Sequence, residues 1–242
     1  MIIFYHKICY NHSHKNRPYI LQTGGGKMPG FLYHLAFSEL VLREHPELNT
    51  GTKRTDFLVG SVIPDLTTDK DISHFRTVRT SGWLAPSISQ LKHDLPDKLT
   101  PILLGAYGHL WLDYHFITNY LAKNCYLTFG DRVINFYLDK IWNANDFLSI
   151  KGLYGAYDRG NVLLAQQGLL PKDMFDLPDP PPLTGFAPFD QRSEKSWKSV
   201  VQIYLESKHD EKSPDVIPPE LLVEAVTTGA ERFSKEIRYF QY

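Results

Sequence analysis

The run from Pro101 to Ala122, PILLGAYGHLWLDYHFITNYLA, constrains this chain more than any other stretch, because it is long and carries one formally charged side chain, Asp113. A segment this apolar predicts a helix buried on most sides, with the rest of the chain packed around it. A carboxylate taken out of water there is costly unless a cation, a metal or several donors hold it. His109 lies four residues earlier, so the two side chains project within roughly 40° of each other on one helical face. An imidazole nitrogen and a carboxylate oxygen at that spacing are the ligand types that suit zinc and its neighbours. From these two residues alone, a plain core hydrogen bond between His109 and Asp113 is an equal alternative. Gly105 and Gly108, just before, would let another backbone come close.

At 242 residues the chain can bury an ample core, and it reads as one domain, residues 28–242, behind an appendage, residues 1–27. That appendage is expected to be poorly ordered. With 26 basic against 27 acidic side chains there is no basic excess of the kind that nonspecific nucleic-acid binding uses, so no such partner is expected. Cys9 and Cys125 are the only cysteines, too few for a disulfide framework. MIIFY is followed at once by His6 and Lys7, which leaves no leader-length apolar region, and no apolar run reaches membrane-spanning length. The expectation is a cytoplasmic protein.

The appendage ends in Gly24-Gly25-Gly26-Lys27, which is not a phosphate loop, because Leu21 and Met28 stand where that motif needs Gly and Ser or Thr. His6, His12 and His14 read as solvated. From Met28 a helical period takes over and ends near His45-Pro46, placing His34 among apolar neighbours as a core histidine or a ligand. Thr55 can cap a short apolar helix that Pro64 ends, which leaves Asp65 at a helix exit. A carboxylate there is badly placed for the helix dipole, so a nearby positive charge is expected. After a polar loop with Asp69 and Asp71 comes Ser73-His74-Phe75. The stretch from Gly82 to Leu99, with Pro86 and Pro96, reads as a broken helical connection and not a strand. His93-Asp94 within it reads as an exposed helix end, not as the centre of an HD-type phosphohydrolase.

Further on, a helix is predicted from Asp131 to Asn143 and another over about Gly152 to Gln167, where Tyr154, Asp158 and Asn161 form a polar stripe. Leu177 to Asp190, LPDPPPLTGFAPFD, must be a loop and is a candidate lid. Helices over about Ser193 to Lys208 and Pro219 to Tyr239 complete the chain, with His209 exposed between them. No convincing alternating strand is evident. The predicted class is therefore all-α, a single multi-helix domain around a buried central helix that carries a metal site.

Taken as an ordered set, MPGFLYH (Met28 to His34), FLVGSVIPD (Phe57 to Asp65), SHF (Ser73 to Phe75) and LLGAYGHLWLD (Leu103 to Asp113) resemble the zinc-dependent phospholipase C family, whose superfamily also holds single-strand nucleases. The resemblance implies a helical fold around one to three zinc or other divalent transition-metal ions, and hydrolysis of phosphoesters by metal-activated water. It implies that His74, His109 and Asp113 bind metal, that His34 also ligates, and that Asp65 ligates or acts as the catalytic base. The implied substrate is a phosphoester-containing small molecule or a lipid head group. Two or more metals could share phosphoryl oxygens and offset charge on the leaving group. The chain departs from the family in having no histidine between His115 and His209 and no second His-x-x-x-Glu/Asp helix. Tyr154 and Asp158 are the candidates for the missing ligand position. His115, roughly 200° around the helix from Asp113, could join only if the helix distorts there. That departure keeps a second expectation open, a non-catalytic metal-binding or structural protein with the same fold.

Overall fold

The structure, a computed structural model, describes residues 30–128, 131–182, 184–191, 196–206 and 215–240. The appendage with its histidines, His209 and both ends of the segment expected as the Ser193–Lys208 helix lie outside the described residues.

In chain order the elements are α1 (Phe31–Glu44), α2 (Gly51–Gly60), α3 (Ile63–Leu66), α4 (Lys70–Ser73), β1 (Arg76–Thr80), β2 (Trp83–Pro86), α5 (Ile88–Asp94) and α6 (Pro101–Phe116). A π-helical turn over Ile117–Leu121 leads into α7 (Ala122–Asn124), then β3 (Cys125–Leu127), β4 (Arg132–Asn135), β5 (Lys140–Asn143), α8 (Ala144–Phe147), α9 (Leu153–Gln166), α10 (Trp197–Glu206) and α11 (Pro219–Ile237). The expected all-α class is thereby corrected: the described residues are 57% helical but carry two small antiparallel sheets, so this is a helix-rich mixed fold.

The physical reasons lie in turn chemistry and in pairing. Between β1 and β2 the turn residues Ser81 (φ 46°) and Gly82 (φ 83°) are both left-handed, as a two-residue hairpin of twisted strands requires. The stretch after Gly82 is thus a strand followed by a helix, with Ser87 capping α5 through the Gln90 N–H. The helix expected over Asp131 to Asn143 is instead the β4–β5 hairpin, paired in sequence order with β3. Asp139 takes the left-handed conformation in its turn, and the Asn135 side chain accepts from the Leu138 N–H at 2.9 Å. Val133, Ile134, Ile141 and Trp142 satisfy a helical period on paper, yet β-branched residues close to turn formers suit a hairpin once β3 supplies a partner edge.

α6 is the centre of the molecule. Thr100 caps it by accepting from the Leu103 N–H, Pro101 occupies its first turn, and 13 of its 16 residues are buried. α2 crosses it most extensively, and α1, α3, α5, α11 and β2 also pack on it. At the α2 crossing, a Cβ on Gly105 would lie 2.1 Å from the Phe57 carbonyl, and one on Gly60 would lie 2.1 Å from the Ile102 carbonyl. Only glycine allows that approach, as expected for Gly105. Gly108 faces the rings of Phe37 and Phe233 instead of a backbone. α2 begins at Gly51, so Thr55 lies inside it, and Pro64 starts a separate short helix, α3, in whose first turn Asp65 sits.

Candidate metal centre

Five side chains converge from four elements: His34 from α1, Asp65 from α3, His74 from the end of α4, and His109 and Asp113 from α6. His34, His74, His109 and Asp113 are each 0% exposed. Their ligand-capable atoms form two overlapping groups, His34–His109–Asp113 and Asp65–His74–His109, each within 4.8 Å. The first is a buried group able to hold a metal ion.

Each oxygen of Asp113 faces imidazole nitrogens at distances too long for hydrogen bonds. Oδ1 is 3.6 Å from His34 Nε2, and Oδ2 is 3.8 Å from both His74 Nε2 and His109 Nε2. Asp65 Oδ1 is likewise 3.6 Å from His74 Nε2. Ligand atoms on a four-coordinate ion with bonds of 2.0–2.1 Å lie about 3.4 Å from one another, so this spacing is close to that of a ligand set. Both oxygens of Asp113 and the Nε2 atoms of His74 and His109 have no hydrogen-bond partner among the described residues, although buried polar groups nearly always find one. The set therefore fits a metal better than it fits a hydrogen-bonded core, and the bland His109–Asp113 hydrogen bond is not formed.

The far sides of the imidazoles reinforce that fit. His109 Nδ1 sits 2.7 Å from the Ser61 carbonyl, which can only accept, so the proton is on Nδ1 and the Nε2 lone pair faces the centre. His74 Nδ1 lies 2.9 Å from Ser73 Oγ, whose hydroxyl is 2.6 Å from that of Thr67, and Thr67 Oγ1 is 2.8 Å from the Pro64 carbonyl. Ser73 accepts from Thr67 and donates its own proton to the Pro64 carbonyl at 3.4 Å, which leaves its oxygen to accept from His74 Nδ1 and turns the His74 lone pair inward. Metal-ligating histidines are oriented in this way by their other ring nitrogen. The rings of His34 and His109 stack 3.4 Å apart and nearly parallel, an arrangement that tolerates neutral imidazoles far better than charged ones.

Electrostatics agree. Burial pulls His109 down to about 3 and His74 down to about 4, so both are neutral at ordinary pH. Burial, helped by the charge of Asp65, pushes the Asp113 carboxyl up to about 8. Burial would raise Asp65 as well, but Lys70, His74 and His109 outweigh it and hold that carboxyl well below the usual range. The positive charge expected near Asp65 is Lys70, whose Nζ lies 2.6 Å from Oδ1.

Other candidates lie elsewhere. The helix does distort, but the π turn begins at Ile117, after His115, and His115 stacks on Trp111 and faces Thr228 and Asn119 on the opposite side of α6. Asp158 does not join the converging ligand atoms among the described residues. Tyr157, the residue before it, buries a phenol oxygen with no hydrogen-bond partner among the described residues, and that phenol is raised well above its usual range by burial, then by Tyr33, Tyr154 and Asp113. His93 is an exposed helix end paired with Asp94, as expected. Sequence reasoning missed Lys70, Arg76 and the Ser73–Thr67 relay; the signal available was the pair of cations flanking the histidine in KDISHFR.

The proline-rich loop passes close by. The Thr68 N–H donates to the Gln191 carbonyl at 3.0 Å, and Phe186 stacks on Phe75, the residue after His74. Phe75 has φ 49°, a left-handed backbone that costs a non-glycine residue about 1–2 kcal/mol. Its carbonyl anchors the turn by accepting from Thr77 and Ser87.

Comparison with protein-family models, with curated proteins and with solved structures gives no match to this chain. Among the described residues no helix is long and apolar enough to cross a membrane.

Proposed function

We propose that this chain is a metal-dependent hydrolase of phosphoesters, similar to the zinc-dependent phospholipase C family. The observation that carries the reading is the set of buried, hydrogen-bond-orphaned atoms of His74, His109 and Asp113, with both histidine Nε2 atoms 3.8 Å from Asp113 Oδ2. His34, His109 and Asp113 would hold one ion, with His74 and Asp65 beside His109 for the same or a second one, and imidazole nitrogens with carboxylates are a donor set that suits zinc. Such an ion, when bound, supplies a Lewis acid that acidifies water and offsets phosphoryl charge. Asp65 adds a carboxylate at a partly exposed edge, its side chain 7% exposed beside Lys70 at 29%. Because Lys70 keeps Asp65 ionised, it is a weak proton acceptor, and holding or orienting a ligand suits it better than acting as base. The substrate class is a small phosphoester or a lipid head group, and the predicted location is the cytoplasm.

Metal content of the purified protein tests the site. The wild type is expected to carry zinc or a neighbour, and His109→Ala to lose most of it; equal content in both would sink the assignment. Turnover of generic phosphomonoesters and phosphodiesters with zinc, manganese or cobalt, abolished by chelator, tests the chemistry.

One observation favours a second reading, a non-catalytic metal-binding or structural protein. Four of the five converging residues are fully buried, as in structural sites that admit no substrate. Tight metal binding with no turnover on a broad phosphoester panel would decide for it.

A further inference from the structure

Arg76 opens β1 two residues after His74, and its side chain is only partly exposed. Its Nε and Nη2 atoms are buried and have no hydrogen-bond partner among the described residues. Those two nitrogens form one edge of the guanidinium, the edge whose parallel N–H bonds engage two oxygens of a phosphate or carboxylate at once. No carboxylate among the described residues pairs with Arg76, whereas Lys70 is committed to Asp65 and Arg54 to Asp173 and Glu39. A permanently charged fork with two buried nitrogens and no anion is costly, so a purely structural role leaves it unexplained.

Its position says where the anion would sit. Along β1 burial alternates, with Arg76, Val78 and Thr80 turned inward and Thr77 and Arg79 outward. The buried Nε/Nη2 edge lies on that inward side, two residues along the chain from His74, and the charge of Arg76 acts on both His74 and Asp113. The left-handed Phe75 is the residue that swings the chain from His74 into this strand.

We infer that Arg76 is the anion-recognising residue of this site, its Nε/Nη2 edge taking two oxygens of a phosphoryl group placed against His74 and Asp113. The inference rests on the phosphoesterase reading for its substrate but on the guanidinium geometry for its existence. It makes Arg76 a binding residue that selects tetrahedral oxyanions over neutral esters.

Inorganic phosphate titrated calorimetrically into the full chain, zinc-loaded and metal-stripped, tests it. The wild type is expected to bind phosphate, and Arg76→Gln to bind it at least about tenfold more weakly, the range of a lost charged hydrogen-bond pair, with zinc content unchanged. Arg79→Gln, on the outward face of the same strand, should bind as the wild type does. Wild-type affinity in Arg76→Gln, an equal loss in Arg79→Gln, or no phosphate binding by the wild type in either form would overturn the inference. If Arg76→Gln does not fold, Arg76→Lys keeps the charge without the fork and should still weaken phosphate several-fold; unchanged affinity would overturn the claim. Arg76-dependent phosphate binding in a protein that takes up no metal would leave the anion site standing and remove the phosphoesterase reading.

Discussion

Asp113 and the histidines around it titrate in opposite senses, which gives the chelated protein a distinctive stability profile. His74 and His109 fall from an ordinary 6.5 to about 4 and about 3, so between those values and 6.5 the unfolded chain binds more protons and stability rises with pH. Asp113 rises from 3.8 to about 8, so over that window the folded chain binds the extra proton and stability falls with pH. Two rising contributions outweigh one falling until about 6.5, after which Asp113 acts alone. Melts of the chelated protein are therefore expected to peak near pH 6.5 and decline toward 8. Asp113→Asn should abolish that alkaline decline and cost metal binding, while leaving the chelated protein no less stable at pH 8. A decline that persists in the variant would show that some other group carries it.

The α2–α6 crossing links packing to the site. Ser61, whose carbonyl orients His109, directly follows α2, and a Cβ on Gly105 would press on the Phe57 carbonyl and lie 3.0 Å from the Ser61 nitrogen. Gly105→Ala is expected to cost about 1–3 kcal/mol by overpacking and also to weaken metal binding, because Ser61 must move. Gly108→Ala meets only ring edges at 3.2–3.3 Å and should leave metal content unchanged. Denaturant unfolding and metal analysis of the two variants separate local strain from a general loss of packing. α6 itself divides its polar groups by face. His109 and Asp113 point to the metal centre, while Tyr107 and Trp111 bond to Glu236, which also pairs with Lys92. His115 continues that second stripe four residues beyond Trp111, so the 200° offset from Asp113 decides its surroundings.

For the molecule as a whole, a metal bound by elements far apart in sequence ties α1, α3, α4 and α6 together only in the folded state. Binding to that state stabilises by mass action, about 2.7 kcal/mol at a hundredfold excess over Kd. In a chain of this length that is a melting shift of roughly 5–10 °C. Chelator is expected to lower the wild-type midpoint by about that much and to leave Asp113→Asn nearly unmoved. A wild type insensitive to chelator, with a destabilised variant, would mean that Asp113 is structural.

The local sequence determined what depends on one helix turn or on solvent avoidance. The burial of Pro101–Phe116, the shared face of His109 and Asp113, the close approach at Gly105, the end of α1 at His45 and the exposed His93 all follow from period and hydropathy over a few residues. Tertiary structure decided whatever needed a distant partner. Val133 to Trp142 reads as a helix until β3 offers an edge to pair with, and Ser81-Gly82 becomes a hairpin turn only because flanking strands meet. Asp65 reads as a helix exit until α3 opens at Ile63 and puts it in a first turn with Lys70 folded back on it, and Asp158 stays out of the converging set for reasons no spacing shows. The metal set itself is of the second kind. His34, Asp65, His74, His109 and Asp113 become one site only when four elements bury them together, where the loss of water makes the orphaned atoms of His74, His109 and Asp113 call for an ion.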